Sequence, residues 1–122
     1  MPRESKTIVL PWTKPLLNLN SRQHWAAKAR DTDAVRSVTA LLCRDIAKAD
    51  KVRVLLSYTP RDKRRRDADN LVGMLKACCD GIVDAGVVPD DTPEFMVKEM
   101  PVINPPGGKH ARMTLMVEAL DE

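Results

Sequence analysis

The chain has 122 residues, of which 43% are hydrophobic and 30% charged. That balance suits one globular domain with a modest core, residues 1–122, and excludes a low-complexity or intrinsically disordered protein. A formal net charge of +3 does not by itself announce a polyanionic partner, so any such signal must lie in how the charges are placed.

The chain opens without an apolar segment behind Lys6, so no secretory leader is expected. No apolar run reaches the length of a membrane span, and no membrane partner is expected. The cysteines are Cys43, Cys78 and Cys79, an odd number without metal-ligand spacing. They read as reduced, core-facing thiols of a cytoplasmic protein. Aromatic residues are Trp12, Trp25, Tyr58 and Phe95, too few for the base-stacking platform of a single-strand binder.

In chain order, residues 7–10 form a β-prone run stopped by Pro11, and residues 11–20 a loop without clean periodicity. His24 stands without a second histidine nearby and reads as a surface or capping residue rather than a ligand. From Thr32 the apolar residues Ala34, Val35, Val38, Leu41, Leu42 and Ile46 recur at spacings of three and four. This predicts a helix ending near residues 49–50, with Asp31, Thr32 and Asp33 as capping candidates and a start as early as Ser21 equally free of breakers. Arg30, Arg36 and Arg44 fall on its solvent face, where solubility is the bland account. Residues 52–58 read as a buried strand ended by Pro60; residues 94–100 and 111–117 read as further strands around a Pro- and Gly-rich turn. Met113, Leu115 and Val117 share one face of the last strand. The expected fold is α+β, two-layered, with a mixed sheet of about four strands and two main helices.

The most informative stretch is 63–91. Four cations, Lys63, Arg64, Arg65 and Arg66, run straight into Asp67, Ala68, Asp69 and Asn70. A helix follows, then Gly86 as a natural helix stop, then Asp90 and Asp91. With a helix turning about 100° per residue, Asp69, Gly73, Lys76 and Asp80 share one stripe. Leu71, Met74, Leu75, Cys78, Cys79 and Ile82 share the opposite, core-facing side. Gly73 is a poor helix former, which suggests a need for room on the polar stripe. Lys76 and Asp80 alone are equally well explained as a surface pair.

If the segment stays extended up to the helix, Asp67 and Asp69 point the same way. One of them, or Asn70, also serves as a helix cap, and a doublet such as Asp90–Asp91 is ordinary in a solvated turn. Capping does not account for two acids directly behind four bases. Clustered carboxylates repel one another unless a cation neutralises them, and Mg²⁺ takes oxygen ligands from one or two carboxylates, water and phosphate. Such a metal polarises a phosphoryl oxygen and activates water. Lys76 stands where it can stabilise charge on a phosphate, and the arginines where they can hold flanking phosphates.

The order Leu10-Pro11-Trp12, then Arg22 with His24-Trp25, then Arg64 to Asn70, a lysine-bearing helix, Asp84-Ala85-Gly86-Val87 and Asp90-Asp91 resembles the RusA family of phage and bacterial Holliday-junction endonucleases. The likeness spans nearly the whole chain. It implies a small α+β fold, a homodimer, and Mg²⁺-dependent paired nicking of four-way or otherwise branched DNA in phage or prophage recombination and repair. No small-molecule cofactor is implied, and Mn²⁺ is a candidate substitute for Mg²⁺. Asp67, Asp69 and Asp91 match the family's metal-binding acids, with Asp90 beside the last. Asn18, Asn20 and Arg22 match DNA contacts, which the basic run Lys63 to Arg66 extends. The pattern departs in one place. The family's functional lysine follows the Asp-x-Asp-Asn motif by about one helical turn, where this chain has Gly73. The matching lysine, Lys76, comes three residues later, so either it reaches back along the stripe or Arg66 or Lys63 takes the role. The rival expectations are a non-catalytic basic nucleic-acid-binding module, which needs no acids at 67, 69 and 91, and a Ca²⁺-using assembly protein, which lacks EF-hand spacing.

Overall fold

In a computed structural model, residues 5–17 and 25–120 are described. The elements run β1 (Ser5–Val9), α1 (Trp25–Cys43), β2 (Val52–Thr59), a 3₁₀ turn (Ala68–Leu71), α2 (Val72–Asp84), β3 (Met96–Lys98), β4 (Val102–Ile103), a second 3₁₀ turn (Gly108–His110) and β5 (Arg112–Ala119). The fold is α+β, as expected, with two main helices and a mixed sheet of five strands. One of these strands, β4, lies in the stretch expected to be a loop. The strand order is β1-β5-β2-β3, with β4 also on β2. The pairs β1–β5 and β5–β2 are antiparallel; β3 and β4 run parallel to β2. Pro101 separates β3 from β4 because it has no N–H to donate to the ladder.

Alternation in β2 and β5 makes one face of this sheet apolar. Val54 lies opposite Val117, Leu56 opposite Leu115 and Tyr58 opposite Met113, and all six are buried. The helices supply the second layer. From α2, Leu71 just ahead of it and Met74, Leu75, Cys78, Cys79 and Ile82 are buried, as the helical stripe predicts. From α1 the buried set is narrower: Val35, Thr39 and Cys43, one residue every four. Leu41 and Leu42, members of the same apolar period, are exposed.

The first helix also ends at Cys43, short of the expected 49–50. The sequence there contains no breaker. A turn follows, in which the Ile46 N–H donates to the Cys43 carbonyl at 3.0 Å, and further on the Ala49 N–H donates to the Val87 carbonyl at 2.9 Å, tying this segment to the link after α2. Asp31, Thr32 and Asp33 sit inside the helix rather than capping it, and the Thr32 hydroxyl donates to the Lys28 carbonyl at 2.8 Å.

The two helices cross closely. A Cβ at Gly81 would lie 2.6 Å from the Arg36 carbonyl oxygen and 2.7 Å from Thr39 Cβ, so glycine permits the contact. Beside it, the Arg36 guanidinium holds both oxygens of Asp84. Arg36 and Asp84 thus join the helices, a structural use for an arginine expected to serve solubility.

Candidate functional site

The basic run follows from β2. Pro60 ends that strand, and an acid outside the expected site then organises the cations: Asp62. Its carboxylate accepts from Arg66 Nη2 at 2.9 Å and from the Arg64 N–H at 3.2 Å, and its carbonyl accepts from Arg66 Nη1 at 2.8 Å. The Arg66 guanidinium also lies 5.7 Å from the centre of the Tyr58 ring. Arg66, and after it the Arg64 N–H, holds the Asp62 carboxyl below the usual carboxylate range. Arg66 is therefore turned inward, with its side chain 23% exposed, whereas Arg64 is 82% exposed. Lys63 and Arg65 stand exposed beside Arg64. The four cations are not equivalent: three face outward and Arg66 braces the loop. Asn18, Asn20, Arg22 and His24 lie outside the described residues.

Asp67 is extended, at φ −109° and ψ 135°, but the 3₁₀ turn begins at the next residue. The Asn70 N–H donates to the Asp67 carbonyl at 3.1 Å, and no side chain caps the turn. Asp69 lies within that turn. The extended alternation expected to align Asp67 with Asp69 is therefore absent, because a 3₁₀ turn carries residues two apart to different sides. Both acids are exposed. Asp67 shares a cleft of about 100 Å³ with Arg65, Arg66, Asn70 and Tyr58.

The turn runs directly into α2, which carries Lys76 and Asp80. Gly86, at φ +84°, ends the helix where an L-residue would be strained. Val87 and Val88 then bury and anchor the link, and the chain returns at Asp90 and Asp91. The Asp91 N–H donates to Asp90 Oδ1 at 2.8 Å. Lys76 Nζ donates to Asp80 Oδ1 at 3.0 Å and to Asp91 Oδ2 at 2.8 Å. A second lysine meets the same oxygen: Lys98 Nζ, from β3, at 3.0 Å. These two ammonium groups, Lys76 first, hold the Asp91 carboxyl well below the usual carboxylate range. Asp91 and Asp80 in turn hold the Lys76 ammonium above its ordinary value.

Of the expected site residues, Lys76 and Asp91 are thus in direct contact, and Asp67 adjoins the basic run. Asp69 precedes Lys76 by seven residues, roughly 10 Å along the helix axis. Among the described residues, no three His, Cys, Asp or Glu side chains gather as a metal centre. The carboxylate oxygens are the donor type Mg²⁺ prefers, but among the described residues they do not gather into a cradle for it, and Asp91 is occupied by two lysines. Lys98 and Asp62 were not singled out from sequence. A lysine near the end of a short strand and an acid inside a basic run carry no local signal of their role. A Cβ at Gly73 would meet nothing within 4 Å, so the chain itself does not need the room glycine leaves there.

No helix among the described residues is long and apolar enough to cross a membrane. No protein-family model matches the chain, and no curated protein matches its sequence.

Proposed function

We propose that this chain is a structure-selective endonuclease that nicks branched DNA, four-way junctions included, as a homodimer in phage or prophage recombination and repair. The observation that carries the proposal is the contact of Lys76 with Asp91, 2.8 Å across fifteen residues of sequence. It unites a base and an acid in front of a helix whose leading end bears Asp67, Asp69 and the outward-facing Lys63, Arg64 and Arg65. A lysine there serves to hold a phosphate oxygen, and the arginines serve to hold neighbouring phosphates and set the register of the strand. Exposed acids among these cations weaken a surface meant only to bind a polyanion, since like charges repel. They make sense where a cation joins the complex. The proposal therefore includes dependence on Mg²⁺ or Mn²⁺, although the carboxylates in their present arrangement do not enclose one. The free, buried thiols of Cys43, Cys78 and Cys79 support a reducing, cytoplasmic setting.

The second reading, a basic nucleic-acid-binding module without catalysis, is favoured by one observation: Asp91 is already neutralised by lysines. Substituting Asp67→Asn and Asp69→Asn separates the two. In the nuclease, each variant keeps junction binding and loses cleavage by on the order of 100-fold or more. In the binding module, each variant binds DNA more tightly and there is no cleavage to lose.

A further inference from the structure

The end of the sheet where β2 stops gathers cations from more than the basic run. Thr59, the last residue of β2, pairs with Arg112, the first of β5, and such partners lie about 4.5–5.5 Å apart. The turn ahead of β5 is fastened to the same place. Its Gly107 N–H donates to the Pro60 carbonyl at 2.8 Å, and Asn104 Nδ2 donates to Thr59 Oγ1 at 3.1 Å. A Cβ at Gly107 would lie 2.8 Å from Thr59 Cγ2, and Gly108 holds φ +57°, so these glycines set the shape of the turn. Exposed Lys109 and Arg112 therefore stand at the same end of the sheet as exposed Arg61, Lys63, Arg64 and Arg65. The Leu10 N–H donates to the Met113 carbonyl at 2.9 Å, which brings the loop with exposed Lys14 to this end as well.

Most of these charges are unspent. The ion pairs of the described residues engage Arg36, Arg53, Arg64, Arg66, Lys76 and Lys98, and none engages Arg61, Lys63, Arg65, Lys109 or Arg112. The sequence has no acid between Glu99 and Glu118. Arg112 Nη1 donates to the His110 carbonyl at 3.3 Å, a bond within the turn that leaves its charge uncompensated. The cleft that holds Asp67 and Arg65 is also walled by Pro15 and Ile103, so the segments bearing Lys14 and Lys109 border it together with the basic run. Phosphates of one duplex strand follow one another at about 3.4 Å along the axis. Cations set close together on separate segments can thus meet neighbouring phosphates, and a turn already held in shape loses little freedom in doing so.

We propose that the turn over residues 104–112 is a second phosphate-gripping arm, in which Lys109 and Arg112 bind the backbone of a DNA duplex arm alongside Arg61, Lys63, Arg64 and Arg65. This inference rests on the reading of the chain as a nuclease of branched DNA, but it concerns the grip and not the cut.

The test is fluorescence anisotropy of a labelled four-way junction titrated with the full chain across a salt series, in a chelator. Lys109→Ala should lower the slope of log affinity against log salt by about 1, and adding Arg112→Ala should lower it by about 1 more. Lys109→Gln should match Lys109→Ala, since charge and not bulk makes the contact. The control is Lys48→Ala, an exposed cation ahead of β2, beyond the far end of that eight-residue strand and so roughly 26 Å away. Its slope should equal that of the wild type. Unchanged slopes in the Lys109 variants overturn the inference, as does an equal fall in Lys48→Ala, which marks a general effect of net charge. A thermal melt verifies that each variant is folded. A wild-type chain that does not bind the junction refutes this inference and the nuclease proposal together. One that shows the expected slopes yet never nicks with Mg²⁺ refutes the nuclease proposal alone.

Discussion

Arg66 shows why the identity of a residue does not settle its work. It sits in an unbroken row of cations, and by composition it is the equal of Arg65. Its donors, however, are spent on Asp62 and on the Arg64 carbonyl, and its guanidinium lies against Tyr58. Arg65 remains exposed. Binding to a short duplex measured across a salt series should separate them. Arg65→Ala lowers the slope of log affinity against log salt by about 1, as loss of one phosphate contact does. Arg66→Ala leaves the slope nearly unchanged but lowers the melting temperature by loosening the loop. Equal loss of slope in both variants contradicts this division. The candidate acids Asp67, Asp69 and Asp91 stand out in the sequence because they flank a recognisable helix. Lys98 does not, because its contact with Asp91, seven residues earlier, depends on how the chain turns before β3 rather than on any local pattern.

At the scale of elements, the apolar period of α2 was plain in the sequence, and each of its predicted core residues is buried. The period of α1 was misleading. Its apolar residues cover more of the helix than the narrow stripe of Val35, Thr39 and Cys43 that packs, and it ends at Cys43, ahead of a segment tied to the distant Val87 carbonyl. Local propensity cannot report either fact, since both depend on what lies opposite. The glycines of α2 illustrate the same point. Gly81→Ala forces a methyl against the Arg36 backbone and should destabilise by about 1–3 kcal/mol. Gly73→Ala enters open space and should be neutral or stabilising by up to about 0.5–1 kcal/mol. Urea unfolding of both variants measures this, and a Gly81→Ala protein as stable as wild type would mean that the helices do not cross as described. The thiols of the same interface are shielded: burial pushes Cys78 and Cys79 up to about 12 and Cys43 to about 11. Buried thiols of this kind are inert at neutral pH.

The molecule as a whole sets a two-layer scaffold behind one exposed edge of chemistry. The sheet and α1 hold α2, and α2 carries Lys76 between the 3₁₀ turn with Asp69 and the return at Asp91. The α+β class followed from the alternating strands and the two helical periods. The mixed sheet's two-residue strand β4 was hidden because two residues behind a proline carry almost no periodicity. The site's final arrangement was hidden for a different reason. Spacing along a chain states which acids are near in sequence, whereas the ion pairs that now engage Asp91 depend on elements brought together by folding. Paired nicking requires two such sites related by a two-fold axis, which is why the proposal is of a homodimer.

The central claim, that this scaffold cuts branched DNA, is tested most directly by incubating the wild-type protein with an end-labelled four-way junction in Mg²⁺ and in a chelator. The account predicts symmetric nicks in opposing strands with Mg²⁺ and none in the chelator. Saturating junction binding without any metal-dependent nick would contradict it.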